Sequence, residues 1–321
     1  MIREKPIVSI IINCFNSERF LEQAIKSVFS QEFENWEIII WDNLSQDSTG
    51  KLALKFDNEK VKYFKSKEHT NLGEARNLAM REVKGDYIAF LDSDDTYEPK
   101  YLSTVIELIN SNNTDCIYVK ANKIIFNKKS QVSDDSHELK TISFKNLFIN
   151  YNIFMSGTLV KKKAIDQHKL NFDSILNHAE DYDFFLSLSK LGKIHFYDRT
   201  LINYRIHDNN VTKINARRGV LEEEYVMTKI TLRYPKFYNK NKNIFLNKKK
   251  KFQWNYFLFY CLESQGKIAR KNLSGHKYNS LKYFTFFLLS YISTRIVVYF
   301  WKKNNAKKNS TTFTKIFEDI S

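Results

Sequence analysis

Four short runs constrain this chain more than anything else in it: Ile7–Ile12, Trp36–Trp41, Val61–Phe64 and Tyr87–Leu91. Each is dominated by β-branched and aromatic residues, and each is too short for a buried helix. Such runs fit strands covered on both faces, as in a parallel sheet. Helical spacing fills the gaps between them. Phe20, Leu21, Ala24, Ile25 and Val28 follow the first run, residues around Lys51–Phe56 follow the second, and Gly73–Glu82 follow the third. This βαβ repetition predicts an α/β fold with a mostly parallel sheet and covering helices.

Further along, Cys116–Val119, Ile124–Phe126, Asn152–Val160 and Ile194–Tyr197 read as strands, with a helix near Asp181–Leu191. The polar stretch Asn127–Lys140 reads as a mobile loop. From about Gly219 the pattern turns helical, basic and aromatic. We therefore expect a domain over 1–215 and a helical region over 216–321.

Charge divides the chain at the same place. The net charge is +15, but residues 216–321 hold 22 Lys and Arg against 6 Asp and Glu, while residues 1–215 are close to neutral. A polyanionic partner would meet the last third. Anionic lipid, a solvated helix face and nucleic acid are the three readings, with lipid favoured and nucleic acid last. Tyr283–Trp301 is 19 residues long, but Arg295 and several hydroxyl residues interrupt it. It reads as a helix lying on a membrane surface, a spanning helix, or a helix packed on the protein's own core. The apolar start has no cleavage signature and is read as a strand. The three cysteines, Cys14, Cys116 and Cys261, are far apart. They exclude a disulfide framework and fit a reducing, cytoplasmic setting.

Ligands in open α/β sheets bind beyond the C-terminal ends of parallel strands. Three polar clusters sit at such ends here: Asn13–Asn16, Asp42–Ser45 and Asp92–Asp95. Three carboxylates within Asp92-Ser93-Asp94-Asp95 repel one another unless protonated or bound to a cation. Hard divalent ions take oxygen ligands and share them with phosphates. An Mn²⁺ or Mg²⁺ site holding a diphosphate is the expectation, against the plainer alternative of an acidic turn or cap. No glycine-rich phosphate loop competes with it.

The motifs together resemble family 2 glycosyltransferases, which have the GT-A fold, over about residues 5–212. The opening strand Pro6–Asn16 is similar to theirs, as is Ser30–Ile38 ahead of the second strand. Trp41–Thr49 resembles their second nucleotide-binding loop, and Asn71-Leu72-Gly73-Glu74-Ala75-Arg76-Asn77 their N-x-G-x-x-x-R-N-like helix start. Leu91–Asp95 resembles their D-x-D element, Glu180-Asp181 their E-D pair and Tyr204-Arg205-Ile206-His207 their Y-R-x-H. The resemblance implies that Asn13, Phe15 and Asn43 contact the nucleotide base, with Asp42 nearby. It places Asp92, with Ser93 beside it, near the ribose or sugar, and Arg76 at the phosphates or donor sugar. Asp94 would bind the metal, with Asp95 assisting or capping the next turn, and His207 would lie near the diphosphate and metal. Asp181 would be the catalytic base, with Glu180 next to it. Many members have two acidic residues where this chain has Asp42-Asn43. The base is therefore left open, a uridine diphosphate sugar being the default.

The implied activity is an inverting transfer of a sugar from a nucleotide donor to a surface glycan or lipid-linked acceptor, on the inner face of the membrane. Three other classes fit the sequence less well. A non-catalytic GT-A-like module docking through its basic region leaves Glu180-Asp181 without a purpose. A sugar-nucleotide pyrophosphorylase needs a glycine-rich loop after the first strand, which Asn13-Cys14-Phe15-Asn16 is not. A nucleic-acid binder leaves the acidic cluster unexplained. Asp181 alone could be an ordinary helix N-terminal acid, and His207 alone an ordinary core histidine.

Overall fold

The computed structural model describes residues 7–125, 128–129, 135–207, 210 and 216–273, with short pieces between 285 and 297. The chain divides into two compact units, Met1–His207 and Asp208–Ser321. The first contains β1 (Val8–Cys14), α1 (Leu21–Phe29), β2 (Trp36–Asp42), α2 (Thr49–Leu54), β3 (Val61–Lys65), α3 (Leu72–Met80) and β4 (Tyr87–Phe90). Then come β5 (Thr96–Tyr97), α4 (Tyr101–Ser111), β6 (Cys116–Ile125), β7 (Lys128–Lys129), β8 (Leu139–Ile142) and α5 (Phe144–Ile149). A 3₁₀ turn at Met155–Gly157 leads to β9 (Thr158–Lys161), α6 (Lys162–His168), α7 (Glu180–Leu191) and β10 (Ile194–Ile206).

One mixed sheet runs β3-β2-β1-β4-β9-β6-β10-β5, with β7 on β6 and β8 on β10. Its first four strands are parallel, in register Ile10 to Ile38 and Ile10 to Ala89. β9 is antiparallel to both β4 and β6, while β6 and β10 are parallel. Ile10, Ile12, Ile38, Ile40 and Ala89 are fully buried. Helices cover both faces, so the strands are apolar throughout rather than alternating. Leu21, Ala24, Ile25 and Val28 form the buried stripe of α1, as their spacing predicts.

The second half departs from the sequence reading in three places. The two strands expected at Cys116–Val119 and Ile124–Phe126 are one strand, β6, paired along β10. Residues expected as a strand at Asn152–Val160 instead form the 3₁₀ turn and short β9. The stretch expected as a mobile loop contributes β7 and the first two residues of β8, whose Leu139 pairs with Tyr197 and Ile142 with Ile194. Edge pairing draws its hydrogen bonds from a neighbouring strand, so a polar composition does not prevent it.

The second unit contains α8 (Ala216–Arg233), α9 (Pro235–Lys240), α10 (Lys242–Leu262) and α11 (Gly266–Leu273). Phe252, Trp254, Phe257, Leu258 and Phe259 of α10 are buried. The aromatic run of this helix is therefore core. Tyr256 donates to Glu224 at 2.9 Å, and Arg217 pairs with Glu263 at 3.1 Å. Among the described residues no helix is long and apolar enough to cross a membrane. Most of Tyr283–Trp301 lies outside the described residues.

Gly73 shows why the helix-start motif needs glycine. Its N–H donates to the Leu176 carbonyl at 3.1 Å. A Cβ there would sit inside van der Waals contact with the backbone oxygen of Asp173. Gly73→Ala is expected to cost about 1–3 kcal/mol through overpacking, read as a lower urea midpoint with an unchanged slope.

Candidate active site

The ends of β2, β1 and β4 lie side by side, and hydrogen bonds tie their loops together. The Asn43 N–H donates to the Cys14 carbonyl at 2.9 Å, and the Asn16 N–H to Ser45 Oγ at 2.9 Å. Ser17 Oγ and Ser93 Oγ lie 2.8 Å apart. The three polar clusters therefore do converge on one crevice, as adjacent parallel strands require.

Arg76 forms the centre of the acidic side. It sits on α3, only 4 % exposed. One guanidinium nitrogen donates to Glu180 Oε1 at the start of α7, the other to Asp92 Oδ1 at 3.2 Å. The ring of Phe172 lies 5.6 Å from the guanidinium carbon. Asp181, next to Glu180, accepts the Tyr182 N–H at 2.6 Å. Burial raises the proton affinity of Asp92, Glu180 and Asp181, and the Arg76 charge offsets only part of that. Glu180 is pushed up to about 7. Its Oε2 is buried without a hydrogen-bond partner, which leaves its charged form poorly solvated.

The remaining acidic residues separate by role. Asp94 Oδ2 lies 2.9 Å from His207 Nε2. Asp95 is 1 % exposed, and both its oxygens are committed. Oδ2 accepts from Ser156 Oγ at 2.6 Å and Oδ1 from the Arg205 N–H at 2.9 Å. Rather than capping the next turn, Asp95 joins the β4 loop to the 3₁₀ turn and to β10. Arg205 completes that junction. Its Nε donates to the Asp94 carbonyl at 2.9 Å, and its guanidinium lies 4.4 Å from the Phe20 ring centre. Phe20 in turn packs on the His207 ring at 4.9 Å.

Among the described residues, no group of three or more His, Cys, Asp or Glu side chains could hold a metal by itself. The Asp94–His207 pair does fit a divalent ion that takes two protein ligands and completes its shell with substrate oxygens and water.

On the opposite side, two residues expected at the base are engaged elsewhere. Asp42 is fully buried, accepting from the Ser45 N–H and the Tyr63 hydroxyl, each at 2.7 Å. The Asn43 amide is paired with Thr70: Nδ2 donates to the Thr70 carbonyl at 2.8 Å, and Oδ1 accepts from its N–H and hydroxyl. Asn13 differs, its Nδ2 being buried with no protein acceptor. Phe15 is 46 % exposed and lies against His69. His69, Thr70, Ser156 and Phe20 escaped the sequence reading. The first two follow β3, a strand end where the same rule could have found them. Ser156 and Phe20 carry no motif and are placed by tertiary packing.

Comparisons with known proteins give the family and the fold. Residues 9–168 match the model for Glycosyl transferase family 2. An uncharacterized glycosyltransferase of Rickettsia typhi is 30 % identical over 223 residues, 68 % of this chain and 69 % of that protein. The chain belongs to glycosyltransferase family 2. Another relative of this family 2 enzyme is the Escherichia coli UDP-Glc:alpha-D-GlcNAc-diphosphoundecaprenol beta-1,3-glucosyltransferase WfgD, 30 % identical over 72 % of this chain and 81 % of that one. Staphylococcus aureus TarS residues 1–349 share the fold. The form in complex with UDP-GlcNAc gives a TM-score of 0.56 at 17 % identity, over 77 % of this chain and 80 % of that chain. Another TarS structure is covered over 65 % of its chain, with a TM-score of 0.55.

The raised Glu180 carboxyl has a consequence for stability. Its proton is held more tightly in the folded state, at about 7 against 4.5 for a free side chain. Stability from this group is fully present below pH ~4.5 and is lost as pH rises through ~7. Asp92 and Asp181 are raised as well and act in the same direction. Glu180→Gln is expected to flatten that part of the stability–pH curve, checked by thermal melts between pH 4.5 and 8. Arg76→Ala, which strands the buried Glu180 charge, is expected to lose about 3–5 kcal/mol, measured by denaturant unfolding at pH 8.

Proposed function

We propose that this family 2 enzyme is an inverting glycosyltransferase. It transfers a sugar from a nucleoside diphosphate sugar, by default a UDP-sugar, to a hydroxyl of a glycan or lipid-linked acceptor. The observation that carries the reading is the Arg76 clamp. It draws Glu180, 104 residues away in sequence, with Asp181 beside it, and Asp92, 16 residues away, into one buried acidic site. The donor class is supported by the UDP-GlcNAc complex of TarS, and the lipid-linked acceptor by the name of WfgD. The basic C-terminal third supports peripheral association with an anionic membrane surface.

In this mechanism Asp181 is the base. It takes the proton of the acceptor hydroxyl as that oxygen attacks the anomeric carbon. Burial keeps its proton affinity above that of a solvated carboxylate, which favours the transfer. The attack comes opposite the leaving diphosphate, so configuration inverts in a single displacement. Arg76 holds Glu180 and Asp92 in place, fixing the start of α7 relative to the β4 loop. Asp94 and His207 would hold an Mn²⁺ or Mg²⁺ ion, which when bound neutralises charge on the diphosphate.

Asp181→Asn is expected to lower kcat ~10²–10⁴-fold with donor KM little changed. Labelled UDP-glucose and a polyprenyl-diphosphate-linked GlcNAc acceptor would serve as substrates. Wild-type kcat/KM should fall toward acid with an apparent pKa above the ordinary carboxylate range, because burial raises both Asp181 and Glu180. An α-configured product from an α-configured donor, read from the anomeric proton coupling, would sink the inverting reading. Unchanged metal dependence in Asp94→Ala would remove that residue from the metal site.

A further inference from the structure

Asn43, expected at the base, and Asp42 beside it have their side chains bonded within the protein, so a further group can discriminate the base. His69, on the loop after β3, is placed to do so. Its Nδ1 lies 2.9 Å from the Asn43 main-chain oxygen. A carbonyl oxygen only accepts, so Nδ1 carries the hydrogen. Whenever the ring carries a single hydrogen, that hydrogen is on Nδ1 and Nε2 is the acceptor, a tautomer set by the backbone of the second loop.

Two further observations show room for a ligand beside this ring. The His69 and Phe15 rings lie with centroids 4.3 Å apart at 48°, and Phe15 leaves nearly half its surface to solvent. His69, Thr70 and Asn71 also line a polar cleft of about 600 Å³ with Glu68, Glu74 and Ser174.

We infer that His69 is the residue that selects the base of the nucleotide donor. Nε2 accepts an imide N–H, and the base lies on the exposed face of Phe15. Uracil and thymine carry that hydrogen at N3, and guanine carries one at N1. Cytosine has a lone pair at N3, so two acceptors would face each other there with nothing between them. The inference rests on the donor-site reading above and deepens it by naming the recognised group.

UDP and CDP have nearly the same shape, so their affinity ratio isolates this contact. Calorimetry would compare the two with wild type, His69→Phe and His69→Gln, each variant first checked by its melting temperature. His69→Phe keeps a ring against Phe15 but has no acceptor; His69→Gln keeps an acceptor oxygen. Wild type should prefer UDP by about 10-fold or more, the scale of one unmatched polar contact. The ratio should collapse toward one in His69→Phe and partly return in His69→Gln. A wild-type protein that binds UDP and CDP equally, or a His69→Phe variant that keeps the preference, overturns the role of His69 alone. Absence of binding by either nucleotide, and by GDP and TDP, would overturn the donor-site reading and this inference with it.

Discussion

The architecture of the site depends on one buried guanidinium. Arg76 is almost inaccessible, yet it faces carboxylates from two other parts of the chain, Glu180 and Asp92. A buried cation is tolerated only where anions surround it, and buried anions likewise need the cation. Neither α3, α7 nor the β4 loop can shift without exposing an unpaired charge. The same requirement leaves Asp181 near the cluster with a proton affinity above that of a surface carboxylate.

A second junction holds the other end of the crevice. Asp95, Ser156 and Arg205 join the loop after β4 to the 3₁₀ turn and to β10. The acidic cluster is therefore not three equivalent carboxylates. Asp92 serves the Arg76 clamp, Asp95 the junction, and Asp94 alone turns to His207. Protein partners thus take up Asp92 and Asp95, and the Asp94–His207 pair is the one that fits a divalent ion.

The parallel half of the fold was legible in the sequence. Ile10, Ile38 and Ala89 lie in strands covered on both faces, and burial on both faces demands unbroken apolar residues whatever the neighbours are. The strand-end rule then brought Asn13, Asp42 and Asp92 to one crevice. The antiparallel half was less legible, because β7 and β8 are edge strands whose polar sequences carry no alternation. β9 was misplaced because Met155–Gly157 turns just before it. The second unit read correctly as helical, and the aromatic run of α10 proved to be core.

Sequence alone determined the α/β class, the location of the crevice and the residue types that crowd it, since these follow from local periodicity and from strand ends. The motifs also placed the chain in its family before any geometry was known. Only the tertiary structure decided what each polar side chain is bonded to. Asn43 looks like a base-contacting residue in sequence, with Asp42 near it, but Thr70 and Tyr63 bond to them, while His69 Nδ1 lies 2.9 Å from the Asn43 main-chain oxygen. Hydrogen-bond partners lie tens of residues apart, and a buried polar group takes whichever partner the packing brings within about 3 Å. That choice is made in three dimensions, and no spacing along the chain encodes it.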